Sequence, residues 1–420
     1  MSERLRDDCF ALPPGVDWTP VDEALALLKQ RMICVTETEK AGLDAANGRF
    51  LAEDVLARRS NPPAANSAID GYAFAWSSLT DPDGEANLPL EPGRSAAGHP
   101  FRGRVPQGHA LRILTGAELP EGTDTVVLQE DASAGAGRVR FRPPRKQGAN
   151  SRGQGEDAIA GDTVLKAGRR LTAADMARLA AVGVGSVPVR KRLRVGILST
   201  GDELIQPGTG AGTPGIFDAN RPMLAAMVRQ FGHERVDLGA QRDHAATIRD
   251  TLDRGAERAD AILTTGGASA GDEDHISRLL REEGQITTWR IAVKPGRPLA
   301  LGMWRGVPVF GLPGNPVAAF VCTVIFARPA LSVLAGGGWT EPAGFQVPAA
   351  FSKFKKPGRR EFLRARLTRD GAAEVFHSEG SGLIGGLSWS DGLVELPDEA
   401  MEVTPGTPVR YLPYSGFGLA

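Results

Sequence analysis

The chain has 420 residues, of which 41% are hydrophobic and 24% charged, and its formal net charge is −1. This balance argues against a nucleic-acid or polyanion-binding surface, and the length corresponds to about three domains. We expect no signal peptide and no membrane span, because no apolar run is long enough. Cys9, Cys34 and Cys322 lie far apart without zinc-site spacing. We therefore expect reduced thiols in a cytoplasmic protein.

The first half of the chain combines two clear helical patterns with many short strands. Apolar residues at helical spacing predict a helix over residues 21–31, and Thr172 is a good cap for a helix that runs to residue 182. Short strands between glycine turns at residues 97–141 predict a small β domain, which follows a boundary at Asn61-Pro62-Pro63. The polar segment 143–157 fits either a loop at a ligand site or a solvated linker.

From Leu193 onward, strands and helices alternate regularly, which predicts a doubly wound α/β domain. Asp243 is expected to cap one of its helices. The predicted strands are 193–199, 235–238, 261–263, 286–293 and 307–311, and the predicted helices are 223–231, 245–254, a segment ending at 283, and 317–334. After a glycine hinge at 336–338, short strands over 345–411 predict a second β domain.

The most informative stretch is residues 260–275, DAILTTGGASAGDEDH. A short apolar run typical of a buried strand leads into a glycine loop, and Asp272 and Asp274 precede a helical pattern. Backbone N–H groups of a glycine loop can approach an anion closely, and a helix N-terminus favours negative charge. The stretch therefore fits an anion or nucleotide site, or alternatively a tight strand-to-helix connection whose glycines serve packing.

Several polar loops are predicted to meet at the carboxyl ends of the strands, where open α/β sheets bind ligands. These loops are Gly201-Asp202-Glu203, Asp243, residues 266–274, residues 294–297 and residues 313–316. The glycines, Lys294 and Arg297 are suited to binding an oxyanion, whereas the carboxylates in these loops would repel it. A divalent cation that bridges the carboxylates and the oxyanion would remove this repulsion. The loops together predict a phosphorylated ligand with Mg²⁺, although each carboxylate singly also fits a helix cap or a solvated turn. Asn315 and Pro316 suit the N-cap and first position of the next helix.

Other active-site classes are not supported by the sequence. It contains no HExxH, GxSxG or GxxxxGK[ST] motif, which excludes zincin, α/β-hydrolase and P-loop interpretations. The six histidines are scattered and predict no metal-ligand cluster.

Eight motifs follow one another along nearly the whole chain. They are SAIDGYA (67–73), TGAELPEGTDTVV (115–127), RGQGED (152–157), STGDEL (199–204), DANRPML (218–224), TTGGASAGDED (264–274), KPGRP (294–298) and GLPGNPV (311–317). In this order and at these intervals they resemble the MoeA family, the molybdopterin molybdenumtransferases, to which the catalytic part of gephyrin also belongs.

The resemblance implies an enzyme of molybdenum cofactor biosynthesis. Such proteins insert molybdenum from molybdate into adenylated molybdopterin, release AMP and require Mg²⁺. They are elongated homodimers whose active site is shared between subunits. A molybdopterin adenylyltransferase and molybdoenzyme maturation factors are implied as partners, and no nucleic acid or membrane.

The resemblance also implies the domain organisation. The expected fold is a central doubly wound α/β molybdopterin-binding domain with an elongated linker region, a small β domain and a C-terminal β-barrel domain. The expected divisions are 1–60 with 155–190 for the linker domain, 61–154 for the small β domain, 191–334 for the α/β domain and 335–420 for the C-terminal domain.

Site residues carry over from the family by motif. Catalysis is assigned to Asp70, Thr115, Asp157, Glu203, Asp243, Asp274 and Lys294, with Glu203, Asp243 and Asp274 also as metal ligands. Substrate binding is assigned to Arg152, Gly266, Gly267, Ser269, Gly271, Arg290, Arg297, Pro313, Gly314, Asn315, Pro316, Arg364 and Ser381. The first three catalytic residues are expected to come from one subunit, and the α/β residues from the other.

This sequence departs from the family pattern in a few places. Ile69 stands where methionine is common, and Arg290 and Arg297 stand where lysine is common, which affects substrate detail because arginine favours bidentate contacts. Two other functions fit the same domains: a molybdopterin adenylyltransferase, and a non-enzymatic gephyrin-like scaffold. The additional β domains and the TTGGASAG loop argue against the first, and the lack of a long disordered linker argues against the second.

Overall fold

The computed structural model describes residues 19–209, 214–266, 275–296 and 298–419. Within them, most strands belong to three six-stranded sheets, and two-stranded sheets connect further parts of the chain. The large sheets lie in the first, middle and last parts of the chain. This succession agrees with the predicted order of a β region, an α/β region and a second β region.

The first part of the chain forms a six-stranded sheet and several short strand pairs. In chain order its elements are α1 Val21–Arg31, β1 Thr38–Gly42, α2 Leu43–Ala46, β2 Val55–Leu56, β3 Asn66–Ser67, β4 Gly71–Phe74, β5 Ala86–Ser95, β6 Ala110–Ile113, β7 Thr125–Leu128, β8 Ala132–Gly135, β9 Arg138–Phe141, β10 Ser151–Arg152, β11 Thr163–Leu165, α3 Ala173–Ala181 and β12 Ser186–Arg190, with 3₁₀ turns at Trp76–Ser78 and Gln129–Asp131.

The predicted small β domain corresponds to the sheet β7-β4-β6-β5-β9-β8. It begins earlier than residue 97, because β4 and β5 belong to the same sheet. The pairs β1–β12 and β2–β11 bring residues 38–56 beside residues 163–190. That pairing fits the expected grouping of residues 1–60 with 155–190, whose boundaries stay a prediction.

Both predicted helices of this part are confirmed. α1 covers residues 21–31 and buries one apolar face. α3 follows Thr172, whose hydroxyl accepts a hydrogen bond from the Asp175 N–H while the Asp175 carboxylate accepts one from the Thr172 N–H. This reciprocal capping box satisfies two N–H groups that the helix itself leaves unpaired.

The middle part alternates strands and helices as predicted. In chain order its elements are β13 Arg194–Thr200, β14 Leu204–Ile205, β15 Ile216–Phe217, α4 Asn220–Gln230, β16 Glu234–Gln241, α5 Ala245–Arg258, β17 Ala261–Thr265, α6 His275–Glu282, β18 Gln285–Arg290, β19 Val293–Lys294, β20 Pro298–Trp304, β21 Val307–Leu312, α7 Pro316–Cys322, a π-helical segment Thr323–Ala327 and α8 Arg328–Leu334.

The sheet of this part has the order β16-β13-β17-β21-β20-β18. The first four strands are parallel, and β20 and β18 add an antiparallel edge. Successive strand residues point to opposite faces. Ile197 belongs to the core beneath α4 and α7, whereas Leu198 belongs to the core beneath α5 and α6. Helices cover both faces, so the doubly wound prediction is confirmed.

Two local predictions in this part were wrong. Asp243 does not cap α5, because His244 occupies the N-cap position and no side chain caps the helix. The single strand expected at 286–293 is two strands, since the chain leaves the α/β sheet after β18 and β19 pairs elsewhere. The single helix expected at 317–334 is confirmed as one helical run from Pro316 to Leu334, which contains the π-helical segment.

Residues Pro316–Leu334 form the only helical run in the described part of the chain that is long and apolar enough to cross a membrane. Its mean hydropathy is 2.0, and 89% of it is buried inside the molecule. Its apolarity is therefore accounted for by its position in the core, between the α/β sheet and α1.

The last part of the chain is rich in strands. In chain order its elements are β22 Phe345–Pro348, β23 Lys353–Lys355, β24 Arg360–Leu367, β25 Ala373–Val375, α9 Gly385–Trp389, β26 Gly392–Leu396, β27 Met401–Val403, β28 Pro408–Pro413 and a 3₁₀ turn Tyr414–Phe417. The sheet order is β19-β24-β26-β28-β22, with β25 also on β24. The second β domain is confirmed, and a parallel bridge between Ala349 and Ala373 links the end of β22 to β25. The pairings β25-β24-β26-β28-β22 therefore return to β25, which agrees with the predicted barrel. One of its strands, β19, comes from the middle part of the chain.

Candidate active site

The carboxyl ends of the four parallel strands lie side by side. Thr200 of β13 is in register with Gln241 of β16, and Thr265 of β17 is in register with Ser199 and Leu312 of its neighbours. The loops that follow these strands therefore start from one edge of the sheet, which we call the rim. This convergence was predicted from the alternation of strands and helices.

A cleft of about 460 Å³ opens at the rim. Five predicted site residues line it together: Glu203, Gly266, Gly314, Asn315 and Pro316. Gly382 and Ile384, from the loop before α9, close one side. The volume lies in the range of small-molecule sites. Three of the five predicted loops thus contribute described residues to one concave site, whereas Asp243 does not line it and Lys294 lines a different cavity. The last part of the chain contributes a wall that the sequence did not predict.

Gly266 turns the chain at the end of β17. Its φ is +85°, and a Cβ atom there would lie 2.1 Å from the Thr200 carbonyl oxygen. No other residue fits, because both the backbone conformation and the space require glycine. The close approach of the two backbones brings the start of the glycine loop against the end of β13.

Asn220, the first residue of α4, ties two of these loops together, and sequence reasoning did not single it out. Its Nδ2 donates to the Thr265 hydroxyl and to the Gly314 carbonyl, both at 2.6 Å. The carbonyl can only accept, so the amide orientation is fixed. The Thr265 hydroxyl in turn donates to the Pro313 carbonyl at 3.4 Å. The only sequence signal for Asn220 is its position in the DANRPML motif, which does not by itself indicate these hydrogen bonds.

Three side-chain oxygens around the cleft are buried and have no hydrogen-bond partner among the described residues: Thr200 Oγ1, Asn220 Oδ1 and Asn315 Oδ1. Asn315 and Pro316 are the N-cap and first residue of α7, as predicted, but the Asn315 side chain makes no capping hydrogen bond. Buried polar atoms normally have a partner. Within the described part of the chain, these three oxygens are free to accept a hydrogen bond at the cleft.

Carboxylates gather beside the cleft. The Asp243 N–H donates to Asp202 Oδ1 at 3.2 Å. Burial raises the pKa of the Asp243 carboxyl, and the charges of Asp202 and Glu203 raise it further. A cation would relieve this repulsion. No group of three or more His, Cys, Asp or Glu side chains within the described ranges is arranged to hold a metal, and Asp274 lies outside those ranges, so the metal assignment stays a prediction.

Lys294 lies on β19 in a network of four charged side chains, which we call the lysine–glutamate network: Lys294, Lys353, Glu361 and Glu379. Lys294 Nζ is 2.6 Å from Glu379 Oε2 and 3.5 Å from Glu361 Oε1. Lys353 Nζ is 3.1 Å from Glu361 Oε2 and also pairs with Glu379. The predicted anion-binding lysine is therefore neutralised inside the protein.

Arg364 and Ser381 lie near this network, but not as free oxyanion ligands. Arg364 is buried and donates to the carbonyl oxygens of Leu383, Ser378 and Gly380 at 2.6, 2.5 and 3.1 Å. Burial lowers the pKa of its guanidinium. The Ser381 carbonyl accepts a hydrogen bond from the first turn of α7 at 3.3 Å. Arg364 therefore shapes the loop, and Ser381 joins that loop to the rim.

A second group of predicted residues lies in the first part of the chain. Asp70 Oδ1 accepts hydrogen bonds from the hydroxyl and the N–H of Thr115, both at 2.7 Å. These bonds hold the pKa of the Asp70 carboxyl below its usual range. Asp157 Oδ2 accepts from Asn61 Nδ2 at 3.0 Å, and Arg152 pairs with Asn66 between β10 and β3.

The structure thus joins Asp70 to Thr115, two residues that were predicted to belong to the same part of the site. Among the described residues, no hydrogen bond or ion pair joins either of them, or Asp157, to the rim within one chain.

Five predicted site residues lie outside the described residues: Gly267, Ser269, Gly271, Asp274 and Arg297. Arg290 ends β18, but its side chain is also outside the described part. The roles of these residues stay predictions.

Three family models match the chain in order. "MoeA N-terminal region (domain I and II)" matches residues 19–183, "Probable molybdopterin binding domain" matches 196–333 and "MoeA C-terminal region (domain IV)" matches 346–414. These ranges coincide with the three parts that contain the large sheets.

Relatives match over nearly their whole length. A molybdopterin molybdenumtransferase of Haemophilus influenzae is 34% identical over 94% of this chain and 98% of its own. Molybdopterin molybdenumtransferase 2 of Mycobacterium tuberculosis is 34% identical over 88% of this chain and 93% of its own. The crystal structure of the molybdopterin biosynthesis moeA protein from Pyrococcus horikoshii is similar with a TM-score of 0.83, at 29% identity, over 95% of this chain and all of that chain.

The three models in sequence, the full-length relatives and the shared fold lead to one conclusion: the chain belongs to the MoeA family of molybdopterin molybdenumtransferases.

Proposed function

We propose that this transferase inserts molybdenum from molybdate into adenylated molybdopterin and releases AMP in a Mg²⁺-dependent reaction. The observation that carries the proposal is the rim cleft, in which Glu203, Gly266 and residues 314–316 converge. The loops suit the phosphate groups of an adenylated substrate. Relatives that carry the name molybdopterin molybdenumtransferase support the same reaction.

The side chains suggest a division of labour. Gly266 and the loop before α7 would bind the phosphates, while Asn220 holds the two loops in place. Glu203 and Asp243, with Asp274, would hold Mg²⁺, and the raised pKa of Asp243, which is caused by burial and by the charges of Asp202 and Glu203, fits a carboxylate that a cation would stabilise. When bound, Mg²⁺ would neutralise charge on the phosphoanhydride. Lys294 would attract molybdate, and AMP would leave as the anhydride bond breaks.

The purified protein, incubated with adenylated molybdopterin, molybdate and Mg²⁺, should release AMP and yield molybdenum-loaded cofactor. Asp243→Asn should slow AMP release about a hundredfold or more, because the cation site is disturbed. Asp250→Asn, on the exposed side of α5, is the matched control and should leave the rate unchanged. No AMP release by the wild-type protein would reject the proposed reaction, and ATP consumption with metal-free molybdopterin would instead favour an adenylyltransferase.

We further propose that a homodimer completes the site. Asp70, Thr115 and Asp157 would reach the rim of the partner subunit. Mixing Asp70→Ala and Asp243→Ala proteins should then restore about a quarter of the wild-type rate, because half of the dimers are mixed and each has one intact site. No recovery, with mixed dimers present, would place both groups in one subunit.

The adenylated substrate has to come from a reaction that transfers AMP to molybdopterin. The adenylyltransferase that performs it is therefore the expected partner, with molybdoenzyme maturation factors downstream and the cytoplasm as the expected location.

A further inference from the structure

A small cavity lies beside the lysine–glutamate network, between β19 and the last part of the chain. Its volume is about 210 Å³, and its polar lining includes Lys294, Lys353, Arg364, His377, Ser378 and Glu379. That size suits a small ion rather than a nucleotide or a pterin. Three of the lining side chains are permanent or near-permanent cations, so the cavity is built to hold negative charge.

Glu379 already supplies that negative charge from within the protein. Its carboxylate contacts both lysines: Lys294 Nζ at 2.6 Å through Oε2, and Lys353 through Oε1. Burial raises the pKa of this carboxyl, but the hydrogen bonds from Lys294 and Lys353 outweigh that effect and hold it below its ordinary value. Glu379 is therefore an anion seated between the two ammonium groups.

The two carboxylates of the network differ in how freely they can leave it. The Glu361 side chain is 8% exposed and lies on β24, paired in the sheet. The Glu379 side chain is 46% exposed and lies on the loop between β25 and α9. A buried carboxylate without a partner is costly, whereas an exposed one can exchange its ion pairs for water. Only Glu379 can turn out into solvent at small cost.

The backbone beneath Glu379 is fixed, so its movement would be confined to the side chain. Arg364 donates to the carbonyl oxygens of Ser378 and Gly380, the residues on either side of Glu379. The Ser378 hydroxyl also accepts from the Gly380 N–H at 3.1 Å. The loop would keep its shape while the carboxylate leaves, and the cavity would keep its position.

Charge balance indicates what would replace the carboxylate. With Glu379 in place, the cavity and its network contain three cations, Lys294, Lys353 and Arg364, and the two carboxylates of Glu361 and Glu379, so the excess is one positive charge. With Glu379 turned away, only Glu361 remains and the excess is two. A dianion is the ligand that balances the emptied cavity, and a tetrahedral oxyanion such as molybdate has that charge and a suitable size.

We infer that Glu379 is an internal substitute for the oxyanion substrate: it occupies the cavity between Lys294 and Lys353 and must be displaced before a dianionic tetrahedral oxyanion binds there. The inference rests on the proposed function for the identity of the oxyanion, and it adds Lys353 as an oxyanion ligand and Glu379 as the residue that sets the affinity. Occupancy by Glu379 also keeps the two lysines neutralised when no substrate is present.

Direct binding of molybdate to the full-length protein, measured by equilibrium dialysis, tests this inference. Glu379→Gln should bind molybdate about tenfold or more tightly than the wild type, because the competing charge is gone while the side-chain size is kept. Glu379→Ala should also bind molybdate more tightly than the wild type. The test therefore remains valid if one of the two variants does not fold. Lys353→Ala should bind at least about tenfold more weakly. Glu374→Gln, a matched control on β25 whose partner is Arg366, should bind like the wild type.

Equal or weaker binding by both Glu379 variants would overturn the inference, and so would undiminished binding by Lys353→Ala. Sulfate serves as a second probe, and it should show the same order of affinities among the variants if the cavity recognises the oxyanion class. The two proposals can fail separately. If the wild type releases no AMP but Glu379→Gln binds the oxyanion more tightly, the proposed reaction is rejected and the inference about Glu379 stands. AMP release without any gain by the Glu379 variants rejects the inference alone.

Discussion

A methyl group on Gly266 would lie 2.1 Å from the Thr200 carbonyl oxygen, on a backbone with φ of +85°. Gly266→Ala should therefore lower the free energy of unfolding by about 3 kcal/mol or more, since the left-handed conformation alone costs about 1–2 kcal/mol and the contact adds to it. Urea denaturation measures the change.

Gly137→Ala separates the two contributions to that loss. Gly137 has a φ of +73° but no heavy atom within 4 Å of the added carbon, so the cost should be about 1 kcal/mol. Equal losses for the two variants would show that the Thr200 contact contributes nothing.

The Thr115 hydroxyl is one of two donors that hold the pKa of Asp70 low. Thr115→Val removes the hydroxyl and keeps the N–H donor, so the Asp70 pKa should rise toward its ordinary value. Because the folded pKa is depressed, Asp70 contributes stability above its unfolded pKa, and that stability is lost as the pH falls through the folded pKa. The variant should therefore differ from the wild type at neutral pH more than in strong acid.

Titration of the Asp70 carboxyl resonance by NMR measures this pKa. Thr123→Val removes a hydroxyl that donates to the Pro120 carbonyl and should leave the Asp70 titration unchanged. An unchanged Asp70 pKa in Thr115→Val would mean that the backbone donor alone sets it.

At the residue scale, the sequence predicted best those positions that only one or a few residue types can fill. The glycine at 266 was predicted from its motif, and motifs also assigned Asp70 and Thr115 to the same part of the site, although their contact was not predicted. The Asn220 contacts and the Glu379 ion pairs could not be predicted in the same way, because each depends on which distant segments the fold places around the side chain. An asparagine or a glutamate in a loop fits many other roles.

At the scale of elements, Asn220 fixes α4 to the ends of β17 and β21 through two hydrogen bonds of 2.6 Å. Asn220→Ala should cost about 1–3 kcal/mol in unfolding free energy, because the Gly314 carbonyl loses its partner in a buried place. Asn220→Asp should cost more, since a carboxylate cannot donate to that carbonyl and repels it. Both should raise the KM for the adenylated substrate, because the two loops lose their spacing.

Denaturation and steady-state kinetics test both expectations. Asn87→Ala, an exposed position on β5, is the control and should change neither quantity. An Asn220→Asp protein as stable as the wild type would contradict the assigned hydrogen bonds.

Element boundaries were predicted best where a local signal fixes them. The capping box at Thr172 and the proline at position 316 mark helix starts in the sequence itself. The break between β18 and β19 carries no such signal, because an apolar run looks the same whether it continues in one sheet or crosses to another. The four strands that build the rim were found because parallel sheets alternate with helices in a regular way.

At the scale of the whole molecule, Arg360 connects α1 to the last sheet. Its guanidinium donates to both oxygens of Asp22 at 2.7 and 2.8 Å, and it also pairs with Glu395 and Asp398. Hydrogen bonds from Arg360 hold the pKa of Asp22 low. The Asp22 side chain is 73% exposed, whereas that of Glu395 is 11% exposed.

This asymmetry predicts unequal losses on substitution. Asp22→Asn should cost less than about 1 kcal/mol, because exposed ion pairs are weak. Arg360→Met should cost about 2–4 kcal/mol, because it leaves Glu395 and Asp398 short of a partner in a largely buried place. Guanidinium chloride would screen these charges, so urea is the appropriate denaturant. Similar losses for the two variants would show that the Asp22 contact, rather than the buried carboxylates, dominates.

The order of regions along the chain was predictable from composition and periodicity, whereas contacts between regions were not. Nothing in the local sequence around Arg360 indicates that its partner is a residue 338 positions away. The wall that Gly382 and Ile384 add to the cleft was missed for the same reason.

The strand β19 has a consequence for dissecting this protein. Val293 and Lys294 pair with Arg360 and Glu361 of the last sheet, although the matched regions 196–333 and 346–414 divide the chain between them. A fragment cut at that division would leave Arg360 and Glu361 of β24 without their strand partner, while β25 still pairs with residues 365–367. An unpaired stretch of strand edge is a template for pairing with another molecule. Such a fragment should associate with itself unless a peptide covering residues 291–296 is supplied. An exchange of the last part of the chain between relatives would therefore have to include residues 293–294 as well, so that the pairing of β19 with β24 is preserved.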